Sequence, residues 1–221
     1  MLYSYIVLCF LMIVQTSSLL NKFLIGACYN YEGSHPGDPK YDIKIAIPGF
    51  TYLKYTQITG FYYSAVYGFS SLISGKISDA VPRKPLLVLM IILWNTTSLV
   101  SSFANSFALL ASMRMMYGLF GAFSSPICYS LIADYFPPDK RTFANAMFTS
   151  ASFLGIALSS LCNDLINVVG WRNTYLYVAF YGYAAAICVL VAVKDPERGR
   201  YDPNKQKVLE EEEKMIEEEL A

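Results

Sequence analysis

Long apolar runs alternate along this chain with short clusters of charge and helix breakers. A bilayer-crossing helix needs ~20 mostly apolar residues. The runs place six such helices at roughly 2–20, 57–75, 86–105, 107–133, 143–163 and 173–193. Pro82 and Pro85 bracket the second link, Pro137-Pro138 ends the fourth run, and Gly170 separates the fifth from the sixth. Proline ends helices because it lacks an N–H and disfavours helix at its predecessor. The first run also has the look of a signal peptide. No positive charge precedes it, however, and Gln15-Thr16-Ser17-Ser18 is a poor cleavage site, so it reads better as a span. It is able to run on through Leu24 and Ile25, past Asn21 and Lys22. The pattern predicts an all-α membrane protein, with a six-span bundle over residues 1–193 and a charged, helical tail over 194–221.

The links then decide orientation. Residues 21–56 form the one long loop, and loops of that size are usually functional. Lys and Arg gather in cytoplasmic loops. With the N-terminus inside, Lys76, Arg83, Lys84, Lys140 and Arg141 fall in two short inner loops, and the tail adds Lys194, Arg198, Arg200, Lys205, Lys207 and Lys214. Lys22, Lys40, Lys44, Lys54 and Arg172 fall outside. Both termini are therefore expected in the cytoplasm. The tail carries acidic runs, Glu210–Glu213 and Glu217–Glu219, and reads as a solvated linker helix.

Composition agrees with this reading and excludes several classes. The 221 residues are 55% hydrophobic and 15% charged, with mean hydropathy +0.38. Soluble domains carry ~25% charged residues. Formal net charge is zero, which gives no electrostatic case for binding nucleic acid. Cys9, Cys28, Cys128, Cys162 and Cys188 have no metal-type spacing, so neither a metal site nor a cofactor is expected. No Ser-His-Asp or Cys-His arrangement points to catalysis, and the single histidine, His35, lies in the outer loop. Asn95-Thr96-Thr97 fits the glycosylation pattern, but its place inside the third span predicts that it stays unmodified.

The helix faces carry two further signals. Helices in lipid approach closely through small residues. Gly60, Ser64, Gly68, Ser71 and Gly75 line one face of the second span and predict a contact face. In the fourth span Arg114 shares a face with Gly118 and Gly121, roughly 10 Å in from the start of the span. A buried arginine there either faces a cavity or snorkels to the interface.

Gly75-Lys76-Ile77-Ser78-Asp79-Ala80-Val81-Pro82-Arg83-Lys84 follows the second span directly. It resembles the loop between spans two and three of the major facilitator superfamily, with Gly75, Asp79, Arg83, Lys84 and Leu87 matching. Ala80 stands where that family has arginine, and Pro82 where glycine is common. Arg114 to Gly118 resembles the family's fourth-span motif. Asp134-Tyr135-Phe136-Pro137-Pro138-Asp139-Lys140-Arg141 resembles its link between spans four and five, and Gly170-Trp171-Arg172 its turn before span six. Ile132-Ala133-Asp134 and Val193-Lys194-Asp195-Pro196-Glu197-Arg198-Gly199 resemble spinster-like transporters. Those proteins usually carry a glutamate in the fourth span, but Gly118-Leu119-Phe120-Gly121-Ala122 has no acid.

The resemblance implies one half of a major facilitator fold. It implies transport of a small organic or lipid-like solute by alternating access between two six-helix halves. The partners expected are a lipid bilayer, a C-terminal half or a second copy, and a small-molecule substrate. Met1 lies almost inside the first span, which favours a fragment; a dimerising half or a non-transporting helical subunit is the alternative. The resemblance also implies that Arg83 bridges Asp79 and Asp134 at the inner ends of spans two and four.

Overall fold

A computed structural model describes residues 2–33, 35, 37–195 and 201. The helices are α1 (Leu2–Tyr29), α2 (Ile43–Ala46), α3 (Tyr52–Thr56), α4 (Tyr62–Ala80), α5 (Arg83–Ser102), α6 (Phe107–Gly121), α7 (Ser124–Tyr135), α8 (Pro138–Val169) and α9 (Trp171–Ala192). A π-helical turn, Gln57–Phe61, joins α3 to α4. No strand occurs among the described residues. Six rods follow: α1, the α3–α4 pair, α5, the α6–α7 pair, α8 and α9. Five of them are long and apolar enough to cross a membrane; the α3–α4 rod, rich in Gly, Ser and Tyr, is not apolar enough.

Three boundaries differ from the sequence pattern. α1 does not stop near residue 20 but continues to Tyr29, carrying Asn21 and Lys22 inside the helix. The long link between the first two rods therefore runs only over residues 30–51 and contains α2. The fourth span is broken at Ala122-Phe123. Pro126 explains the break, because it has no N–H for the carbonyl of Ala122. α8 is longer than its apolar run, because Pro138 takes the first helical position, where a missing N–H removes no bond. Of the tail, only Lys194, Asp195 and Tyr201 are described; the expected acidic helix lies outside the described residues.

The core has two halves. At one end Val7, Leu11, Leu87, Trp94, Ile132, Phe136 and Phe148 pack together. At the other, Leu24, Cys28, Ile58, Leu110, Ile166 and Trp171 pack with Ile43, Ile47 and Phe50 from that link. That stretch is therefore a folded cap. The indole N–H of Trp171 donates to Pro39 O at 3.1 Å and its backbone N–H to Lys40 O at 3.2 Å. Gly170 adopts φ +88°, and a Cβ there would meet Lys40 O at 2.6 Å, so only glycine fits this turn.

Helix contact in lipid relies on small residues rather than on hydrophobic drive. α8 lies so close to α1 at Gly155 that a Cβ would meet Thr16 O at 2.7 Å. α5 and α9 meet where Asn95 sits over Gly182, with a Cβ there only 1.9 Å from Asn95 Oδ1. Asn95 also accepts from Asn21 Nδ2 at 3.1 Å and donates to Ile91 O at 2.8 Å, while Ser98 donates to Asn21 Oδ1. This buried polar core ties α1 to α5, and Asn95 is 0% exposed.

Candidate functional site

Two arginines organise two separate clusters. At the first turn of α5, Arg83 Nη1 donates to the Asp134 carboxylate near the end of α7 and to Ser130 O at 3.3 Å. Its Nη2 stands 4.0 Å from Asp79 Oδ1 at the end of α4. The Asp134 side chain is 6% exposed and that of Asp79 75% exposed, so the inner pair dominates. Arg141 lies beside this cluster. Its Nε donates to Phe136 O at 3.0 Å and its Nη2 to Ala133 O at 2.8 Å, which satisfies carbonyls left open at the end of α7. The Lys84 backbone N–H, free in the first turn of α5, donates to Asp195 Oδ1 at 3.4 Å.

The second cluster lies within the bundle, where the C-terminal half of α1 passes α4 and α6. Arg114 is 6% exposed. Nη1 donates to Asn21 O at 3.3 Å and Nη2 to Lys22 O at 3.2 Å, while Nε has no partner. The guanidinium therefore points into the bundle, against carbonyls of α1. Lys22 joins it. The half-buried ammonium stands 5.4 Å from the ring centre of Tyr63, 5.8 Å from that of Tyr67 and 5.7 Å from that of Phe23. Arg114 is thus not the lone charge inside a span. Reading the first run as ending near residue 20 had placed Lys22 in the outer loop.

Two adjoining cavities of about 150 Å³ each share Lys22 and Tyr63. Arg114, Tyr55, Thr59 and Gly26 line one; Gln15, Ser18, Tyr67, Tyr117, Ser125 and Ser152 line the other. No carboxylate lines either cavity. Gly118 and Gly121 make room here. A Cβ on Gly118 would meet Tyr63 O at 3.1 Å, and Gly121 lies under the Tyr117 ring. Tyr117 donates to Ser18 O at 2.6 Å, and its ring centre is 5.9 Å from that of Tyr63.

A sequence profile described as the Major Facilitator Superfamily matches residues 43–217. The chain belongs to the major facilitator superfamily. It is 29% identical over 149 residues to the probable galactarate/D-glucarate transporter GudP of Bacillus subtilis, covering 63% of this chain and 33% of that protein. It is 31% identical over 131 residues to Protein spinster of Drosophila melanogaster, covering 58% of this chain and 21% of that protein. A third relative is the purine ribonucleoside efflux pump NepI of Salmonella paratyphi B, at 30% over 143 residues, 63% of this chain and 34% of that one. The chain spans about a third, or less, of the length of these curated relatives. The crystal structure of a bacterial homolog of the human lysosomal transporter Spinster, inward-facing and unoccupied, superposes with TM-score 0.73. It is 19% identical and covers 91% of this chain and 45% of that one, a likeness of fold.

This superfamily member is an integral, multi-pass membrane protein with a spinster likeness. Its α3–α4 rod presents Gly60, Ser64, Gly68 and Ser71 exposed, with Gly75 half-buried. Nothing lies within 4 Å of a Cβ built on Gly60, Gly68 or Gly75, so no helix of this bundle covers the stripe. Lys22, Gln15 and the three tyrosines Tyr63, Tyr67 and Tyr117 escaped the reading of the sequence. The signal for Lys22 was there: Asn21-Lys22 interrupts an apolar run that resumes at Phe23-Leu24-Ile25.

Proposed function

We propose that this chain is the N-terminal six-helix half of a transporter that moves a small organic solute by alternating access. Its observed counterpart is a bundle whose polar cavities, lined by α1, α4, α6, α7 and α8, sit within apolar helices. Both termini lie in the cytoplasm under this reading, and the Gly60–Gly75 stripe receives helices of a second half. The Arg83 cluster acts as a latch: two carboxylates on the ends of α4 and α7 share one guanidinium, and separating those ends breaks the bonds. The members this chain matches are transporters of chemically unlike solutes, which supports transport without naming the cargo.

The observation that carries the proposal is the polar cavity reaching Ser18 and Ser125 at membrane depth. Its test is accessibility. Ser18→Cys or Ser125→Cys, in a background with the native cysteines replaced, is challenged in cell membranes with a water-soluble thiol reagent from either side. Alternating access expects labelling from both sides, with Asp134→Asn changing the balance. Labelling from neither side, or from one side regardless of Asp134, refutes it in favour of a non-transporting subunit.

A further inference from the structure

The two adjoining cavities meet at Lys22, Arg114 lines one of them, and together they carry two positive charges and no carboxylate. Within a bilayer such charges are normally paired with acids or carry a function. Arg114 is held by the carbonyls of Asn21 and Lys22 and lies 5.9 Å from the centre of the Tyr117 ring, contacts that orient the fork but do not cancel its charge. Its buried Nε has no partner. Lys22 faces three aromatic rings, which stabilise a cation without neutralising it. The counter-charge is left to come from outside the bundle.

The lining narrows the ligand further. Gln15 is buried; its Nε2 donates to Ser152 Oγ at 2.9 Å, and its Oε1 has no partner. It is an acceptor waiting for a donor, in the same cavity as Lys22. Ser18, Ser125 and the phenol of Tyr67 add hydroxyls to that cavity. The space is small and polar. The larger apolar cavity, about 390 Å³ among Leu158, Leu161, Cys162, Tyr177 and Tyr181, does not share a residue with it. The cation-lined space and that apolar cavity have no lining residue in common.

We infer that this chamber binds a small hydroxylated organic anion. Its carboxylate or phosphate oxygens sit on Lys22 and Arg114, and one of its hydroxyls donates to Gln15 Oε1. This rests on the transport reading above and names its substrate class.

Binding is measured calorimetrically on the full chain in detergent, with D-glucarate, sn-glycerol 3-phosphate, adipate, dodecyl phosphate and myo-inositol as probes. Saturable binding of D-glucarate or sn-glycerol 3-phosphate, with none of myo-inositol, supports the inference, and the stronger of the two identifies the oxyanion. Lys22→Gln is expected to weaken it about tenfold or more, the value of a charge-assisted bond, while Lys22→Arg retains most of it. Gln15→Leu is expected to erase the preference for D-glucarate over adipate, which lacks hydroxyls. Full affinity in Lys22→Gln overturns the inference, as does binding of dodecyl phosphate alone or equal binding of myo-inositol. Accessibility is read separately, by the Ser18→Cys labelling described above. Anion binding without labelling from both sides sinks the transport reading alone, and labelling from both sides without anion binding sinks the inference alone.

Discussion

Arg83 and Arg114 are the same side chain in opposite electrostatic situations. Arg83 reaches one carbonyl and two carboxylates of its own chain. Arg114 reaches two carbonyls and no acid, with a second cation on the neighbouring turn of α1. The first cluster is closed in charge, balanced by carboxylates at the ends of α4 and α7, although Arg83 Nε, like Arg114 Nε, has no hydrogen-bond partner. The second is open, leaving a positive potential in a low-dielectric setting where an anion gains more than it would in water. Within one bundle, a paired arginine reads as structure and switch, and an unpaired one as a place for a ligand.

The comparison can be broken by measuring stability without added ligand. Asp134→Ala should have the largest effect. It strands a mostly buried guanidinium and should cost about 3 kcal/mol, read as a lower thermal midpoint in detergent. Arg114→Gln should follow at about 2 kcal/mol, because the carbonyls of Asn21 and Lys22 lose their charged donors while a buried charge is also relieved. Lys22→Gln should change the midpoint by less than about 1 kcal/mol, since it removes only ring contacts. A large loss there would mean Lys22 is structural. Asp79→Asn should be smallest, about 0.3 kcal/mol, because its carboxylate is mostly solvated. If Asp79→Asn matched Asp134→Ala, the two carboxylates would share the guanidinium equally and the inner pair would not dominate.

Much of the fold was legible because lipid leaves the chain little choice. Without water to satisfy the backbone, an apolar run becomes a helix, and its length follows from bilayer thickness. The charged link after Gly75 was legible for a similar reason: charges cannot hide in lipid, so Asp79, Arg83 and Asp134 stand at helix ends, where the structure brings them together. Hydropathy misled where polar residues sit inside a helix. Asn21 and Lys22 looked like the end of a span, yet Asn21 bonds to Asn95 and Lys22 packs on tyrosines of α4, partners that a one-dimensional pattern cannot reveal. The break at Ala122 was written in Pro126 but lay under a continuous apolar run. The cap was hidden because Ile43, Ile47 and Phe50 are scattered among polar residues and bury only in the folded chain, against partners such as Tyr29 of α1 and Phe107 of α6.

The bond between Asn21 and Asn95 has a consequence for how the protein is made. The two residues are separated by 74 positions. At the usual pace of synthesis, roughly 4–15 s pass between the making of one and the other. During that interval the C-terminal half of α1 carries an ammonium and a carboxamide without its Asn95 partner, groups that are costly in lipid. The first helix is then settled in stages: α5 closes the amide pair, and α8 later packs on α1 at Gly155 and bonds Gln15 through Ser152. A ribosome stalled before Asn95 would leave α1 without either hold.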